Sequence, residues 1–98
     1  MFRHVVLLKW KDDATPEQRQ AAADGIRGLP DVVPGIRRFA VGLDVGMDPN
    51  TYDLVIVADF DDAAGYAAYR DNPDHRALIH NVTGPILAAR AAVQHELA

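Results

Sequence analysis

The first strand-forming segment of the chain reads Phe2-Arg3-His4-Val5-Val6-Leu7-Leu8-Lys9-Trp10. Aliphatic, β-branched and aromatic residues dominate it, which predicts a β-strand over residues 2–10. Because side chains alternate along a strand, the segment has two faces. One face carries Phe2, His4, Val6, Leu8 and Trp10, and the other carries Arg3, Val5, Leu7 and Lys9. Both faces are apolar at the centre, so we expect both to be covered.

Outward from this strand, the sequence predicts a helix, two strands, a second helical region and a last strand. Thr15-Pro16 and Gln18 form a capping box that starts the first helix, which ends at Val33-Pro34-Gly35. Strands are predicted over Ile36–Val45, Tyr52–Phe60 and residues 88–97. The helical region between the last two begins at Asp61 or Asp62 and restarts at Asn72-Pro73. The order βαββαβ predicts an α+β, ferredoxin-like fold with a four-stranded antiparallel sheet.

The apolar content indicates how this sheet is covered. The 98 residues fit one domain, 1–98, and 49% of them are apolar. Helices can cover one face of the sheet, and the other face would then expose Val6, Leu8 and Trp10 or their opposite-face neighbours. Two such sheets packed face to face solve this problem, which predicts a homodimer that encloses an apolar space.

Composition excludes several classes of function. The chain has 10 basic and 14 acidic residues, a net charge of −4 that does not favour nucleic acid as a partner. It has no cysteine and no serine, which excludes disulfides, thiolate zinc sites and cysteine or serine nucleophiles. The longest apolar run of the opening segment, Val5–Leu8, is too short for a signal peptide or a membrane span. We therefore expect a cytoplasmic protein with no membrane partner.

No cofactor or metal site is expected either. His75 and His80 would lie about 140° apart around a helix, which is unsuitable for a shared metal ion. Neither a zinc-binding helix motif nor a glycine-rich phosphate loop occurs in the sequence. His80 and His95 are interpreted as surface or structural histidines.

Three residues are candidates for chemistry. His4 projects from an apolar strand face, where burial would keep its imidazole neutral; the alternative is an idle histidine at an exposed strand edge. Tyr69 and His75 flank the helix break at Asn72-Pro73, an arrangement that suits a neutral histidine base beside a phenol donor. The alternative is a packing tyrosine beside Tyr66 and an ordinary capped turn.

Several segments resemble one known family over essentially the whole chain. They are Phe2 through Lys11, Val33-Pro34-Gly35-Ile36, Tyr52-Asp53, and Tyr69 followed by Asn72-Pro73-Asp74-His75. Together they are similar to the stress-responsive A/B barrel domain (Dabb) family. The resemblance implies a ferredoxin-like subunit that forms a dimeric α+β barrel. It also implies a stress-associated protein that holds a small apolar molecule in the barrel.

The same resemblance implies an alternative, enzymatic function. The family includes a plant polyketide cyclase of the olivetolic acid cyclase type, which closes a ring by aldol condensation without metal or cofactor. By this resemblance His75 would be the catalytic base, Tyr69 would orient a carbonyl, and His4 would support them. Asn72 stands where that cyclase motif has a histidine. A weaker option is a cofactor-free monooxygenase, with Trp10 near the pocket.

Overall fold

A computed structural model describes residues 1–97 and has the predicted ferredoxin-like architecture. The strands are β1 (Phe2–Trp10), β2 (Arg38–Leu43), β3 (Leu54–Phe60) and β4 (Leu87–Glu96). They form one antiparallel sheet in the order β2-β3-β1-β4. The helices are α1 (Pro16–Arg27), α2 (Leu29–Val32), α3 (Ala63–Asp71) and α4 (Pro73–Leu78). A π-helical turn (Ile79–Thr83) and a 3-10 turn (Gly84–Ile86) join α4 to β4.

The helix starts follow the predicted caps. The Thr15 hydroxyl accepts a hydrogen bond from the Gln18 amide at 3.1 Å, and the Gln18 side chain accepts one from the Thr15 amide at 2.8 Å. Asp62 caps α3 and Asn72 caps α4. The predicted first helix is in fact two helices, because the chain turns at Gly28 before Leu29.

The helices cover only one face of the sheet. This covered face carries Val6, Leu8 and Trp10, which are 4–6% exposed, while Leu7 on the other face is 37% exposed. We call the second face the open face. The structure thus resolves the ambiguity in the β1 pattern: the face of Val6 and Trp10 packs on helices, and its counterpart is left uncovered.

The open face is apolar across its centre. Strand register aligns two transverse rows of apolar or small residues there: Ala40, Val57, Val5 and Val93, and next to them Gly42, Val55, Leu7 and Ala91. A charged row flanks them, in which Arg3 donates two hydrogen bonds to Asp59 at 2.7 and 2.8 Å. No helix in residues 1–97 has the length and apolar content needed to cross a membrane.

Close packing at Gly25 brings α1 against the end of α4. A Cβ atom at this position would lie 2.5 Å from Leu78 Cδ1, so any larger residue would require the end of the Leu78 side chain to move. Glycine weakens the interior of a helix, but here it leaves room for Leu78, which lines a cavity beside the covered face of the sheet.

Candidate functional site

A cavity of about 320 Å³ lies between the covered face of the sheet and the helices. Its apolar lining consists of Val6, Leu8, Ile26, Leu29, Ile56, Leu78, Ile79 and Leu87. Its polar side chains include all three residues singled out from the sequence, His4, Tyr69 and His75. The cavity belongs to one subunit. From the sequence, a ligand is expected between the two sheets of the dimeric barrel. The three residues instead converge on the helix side of β1, within one subunit.

A second, more open recess of about 540 Å³ lies beside the loop between β2 and β3. Leu7 and Val55 of the open face line it, together with Leu43 and Val45. Among residues 1–97, no histidine lines this recess. The larger recess thus lies next to the open face and also includes Asp44 and Tyr52, whereas the candidate histidines are in the smaller cavity.

His75 is held at the first turn of α4 with one ring nitrogen free. The Asn72 side-chain oxygen accepts hydrogen bonds from the backbone amides of Asp74 at 2.9 Å and His75 at 3.3 Å. His75 Nδ1 lies 3.1 Å from the Arg70 carbonyl oxygen. A carbonyl only accepts, so Nδ1 carries the proton and Nε2 keeps its lone pair. Burial lowers the pKa of His75, which favours this neutral form.

Tyr69 lies against the His75 ring. The two ring centroids are 4.2 Å apart with the planes inclined by 31°, and Tyr69 is 3% exposed. Burial raises the pKa of Tyr69 to about 12, so the hydroxyl stays protonated at neutral pH. A neutral imidazole and a phenol donor therefore stand side by side in the cavity.

His4 is also buried and neutral. It is 3% exposed, and its Nδ1 lies 3.1 Å from the Gln94 side-chain nitrogen, which donates to it. Burial lowers the pKa of His4 to about 4, and the nearby charges of Arg90 and His75 act in the same direction. The exposed-edge alternative for His4 is wrong, because the register of β4 places Gln94 directly beside it.

Several residues of this site were not singled out from the sequence. Tyr66 lies against His4, with ring centroids 4.6 Å apart and the planes inclined by 45°, and Gln94 bonds to the same imidazole. Arg70, Arg76 and Arg90 also line the cavity. The spacing of Tyr66 and Tyr69 could have indicated a shared helix face. Gln94 and Arg90 could be placed only once the β1–β4 register was known.

The other histidines lie elsewhere. His80 is exposed and does not line the cavity, and His95 follows the alternation of β4 onto the open face, paired with Arg3. Within residues 1–97, no group of three or more histidine, aspartate or glutamate side chains is arranged to hold a metal ion.

The family follows from a match over nearly the whole chain. The model of the Stress responsive A/B Barrel Domain, Dabb, matches residues 2–96. The chain belongs to this family. No curated protein matches the Dabb chain significantly.

Solved structures similar to this Dabb protein share its ferredoxin-like subunit. A dimeric ferredoxin-like protein from Thermobifida fusca YX is 40% identical, with a TM-score of 0.88 over 98% of this chain and 90% of that one. A dimeric ferredoxin-like protein from Bacteroides fragilis NCTC 9343 is 28% identical, with a TM-score of 0.82 over 98% and 95% of the two chains. The hydroxynitrile lyase of Passiflora edulis has a TM-score of 0.85 over 99% and 93% of the two chains. At 14% identity, the lyase shares the fold alone.

Proposed function

We propose that this chain is a cytoplasmic, homodimeric Dabb protein of one domain that binds a small, mainly apolar molecule in the cavity of each subunit. One observation carries the proposal: an apolar cavity into which His4, Tyr69 and His75 converge from three different elements. Largely apolar walls with a few convergent polar groups and perturbed pKa values are typical of ligand sites.

The volume limits the size of the ligand. About 320 Å³ is at the small end of ligand pockets, whose usual range is roughly 300–1,000 Å³. At ~30 Å³ for each water-sized group, the cavity accepts about ten such groups. A ligand of about ten non-hydrogen atoms is therefore the appropriate probe.

The open face supports the homodimer. It presents two apolar rows, with Val93 64% exposed and Leu7 37% exposed. The 40% identical protein from Thermobifida fusca YX is described as dimeric. Face-to-face packing of two sheets would cover these rows and leave the cavity on the opposite side of each sheet.

Binding is tested with octanamide, a neutral ligand of about ten non-hydrogen atoms, which matches the volume of the cavity. We expect saturable binding by calorimetry, with NMR shifts at the imidazole protons of His75 and His4. Ile79→Trp, a substitution in the cavity lining, should abolish binding, whereas the matched variant Val32→Trp changes an exposed residue on α2 and should bind normally. No binding to the wild-type protein, or equal binding by both variants, would contradict the proposal.

A second candidate function is cofactor-free catalysis of the polyketide cyclase type, a lyase or isomerase reaction. The free Nε2 of His75 beside the phenol of Tyr69 supports it. His75 would take a proton from a carbon next to a carbonyl, while Tyr69 donates a hydrogen bond to the oxygen that gains negative charge. The enolate carbon would then attack a second carbonyl of the same molecule, forming the ring bond, and the oxygen of that carbonyl would take the proton back from the His75 imidazolium. His4 would orient the substrate.

This candidate is tested with a polyketide-like thioester. We expect His75→Ala to abolish ring closure, and His80→Ala, a histidine outside the cavity, to leave it unchanged. Sedimentation should give the same dimer for both variants. Equal turnover by wild-type protein and His75→Ala would exclude His75 as the base.

A further inference from the structure

The cavity is basic although the chain is acidic. The chain has a net charge of −4, yet three arginines line the cavity: Arg70, Arg76 and Arg90. Among the described residues, no aspartate or glutamate lines it. The local charge is thus opposite in sign to that of the whole protein. A neutral apolar ligand gives no reason for this arrangement.

Two of the three arginines keep their donors available. Arg70 is already paired, with its Nε and Nη2 atoms 3.0 and 3.1 Å from the carboxylate oxygens of Asp71. Arg76 and Arg90 have no carboxylate within 4.0 Å in the part of the chain that the structure describes. Each guanidinium has five N–H donors in a fork that matches two oxygens of an anion.

The two unpaired arginines approach the cavity from different elements. Arg76 directly follows His75 on α4, and Arg90 lies on β4 opposite Leu8, on the covered face. After the larger effect of burial, the charge of Arg90 contributes to the lowered pKa values of His4 and His75 and partly offsets the raised pKa of Tyr69. Arg90 is therefore close to the whole histidine–tyrosine group.

We propose that the ligand carries an anionic oxygen group, a carboxylate or a phosphate, on an apolar body, and that Arg76 and Arg90 bind this group. The inference rests on the proposed function, because it names the class of ligand that the same cavity takes. The apolar body would contact the aliphatic lining between the sheet and α1. The anion would then lie at the side of the cavity where α4 and β4 supply the guanidinium groups.

The experiment compares octanoate and hexyl phosphate with octanamide, which has the size of octanoate but no charge. We expect both anions to bind roughly tenfold more tightly than the amide, since hydrogen bonds to charged groups are the stronger kind. Arg76→Gln with Arg90→Gln should remove this preference, so that the double variant binds the two anions and octanamide with similar affinity. Arg27→Gln, which removes an arginine outside the cavity lining, should keep the preference. The order of the two anions identifies carboxylate or phosphate as the group recognised.

Three outcomes would overturn the inference. Equal affinity for octanoate, hexyl phosphate and octanamide would refute anion recognition while leaving the proposed binding function intact. If the double variant is as thermally stable as the wild-type protein and still prefers the anions, the anionic group binds elsewhere than at Arg76 and Arg90. Binding of none of the three probes would refute the proposed function itself, and the inference with it.

Discussion

Replacing His4 with asparagine should reduce the loss of folding stability of the protein in mild acid. His4 is 3% exposed, and burial lowers its pKa to about 4. The unfolded chain has an ordinary histidine there, with a pKa of about 6.5. As pH falls below 6.5, the unfolded state therefore gains a proton that the folded state does not gain until about pH 4.

The magnitude follows from this difference. Each unit of pKa difference is worth about 1.4 kcal/mol, and stability falls wherever the unfolded state binds more protons. Between about pH 7 and pH 4.5, the His4 contribution amounts to a loss of roughly 2 kcal/mol in the free energy of unfolding. Asparagine has no titration in this range, and its side-chain oxygen can accept the hydrogen bond that Gln94 donates to His4 Nδ1.

The assay is urea unfolding of wild-type protein and His4→Asn at both pH values. Protein concentration is kept constant, because dimer formation makes apparent stability depend on concentration. The variant is expected to be less stable at neutral pH, since it has a smaller side chain in a buried position, but to lose about 2 kcal/mol less on acidification. An equal acid-induced loss in both proteins would refute a buried, neutral His4. NMR titration of the His4 imidazole with a midpoint near its unfolded value would refute it as well.

Two further changes test the positioning of His75 and the role of the open face. Asn72→Ala removes the cap of α4 and should cost about 0.5–2 kcal/mol of folding stability. Asp62→Ala, which removes the cap of α3, should cost a similar amount. Only the Asn72 variant should shift the NMR resonances of the His75 imidazole. Resonances that move equally in both would contradict this positioning role. Val57→Asp, at the centre of the open face, should give a monomer by sedimentation. Val32→Asp, on the surface of α2, should stay dimeric. A dimeric Val57→Asp variant would exclude the open face as the interface.

The local signals in the sequence were sufficient to predict the fold. The bounds of β1 agree with the prediction because its apolar run ends at a polar turn, and the caps at Thr15 and Asn72 are local interactions. The strand predicted over Ile36–Val45 is too long at both ends, since its paired residues run from Arg38 to Leu43. The strand predicted from Tyr52 starts two residues too early, since its pairing begins at Leu54. Ile36, Val45 and Tyr52 lie in the flanking loops and extend the apolar pattern beyond the hydrogen-bonded ladder.

The site was predictable only in part, because it depends on contacts between elements distant in sequence. Tyr69 and His75 are six residues apart, so local spacing indicated their proximity. The approach of Gln94 to His4 joins residues 90 positions apart and follows from strand register alone. The same register places Arg90 on the covered face. The side of the sheet that the helices cover was ambiguous for a similar reason, since both faces of β1 are apolar.

A crystal structure with bound octanoate tests the central claim most directly. We expect electron density for the ligand between the sheet and the helices of each subunit, next to His75 and Tyr69, with its carboxylate within hydrogen-bonding distance of Arg76 or Arg90. Density between the open faces of two subunits, with the cavity around His4 and His75 filled by side chains, would contradict it.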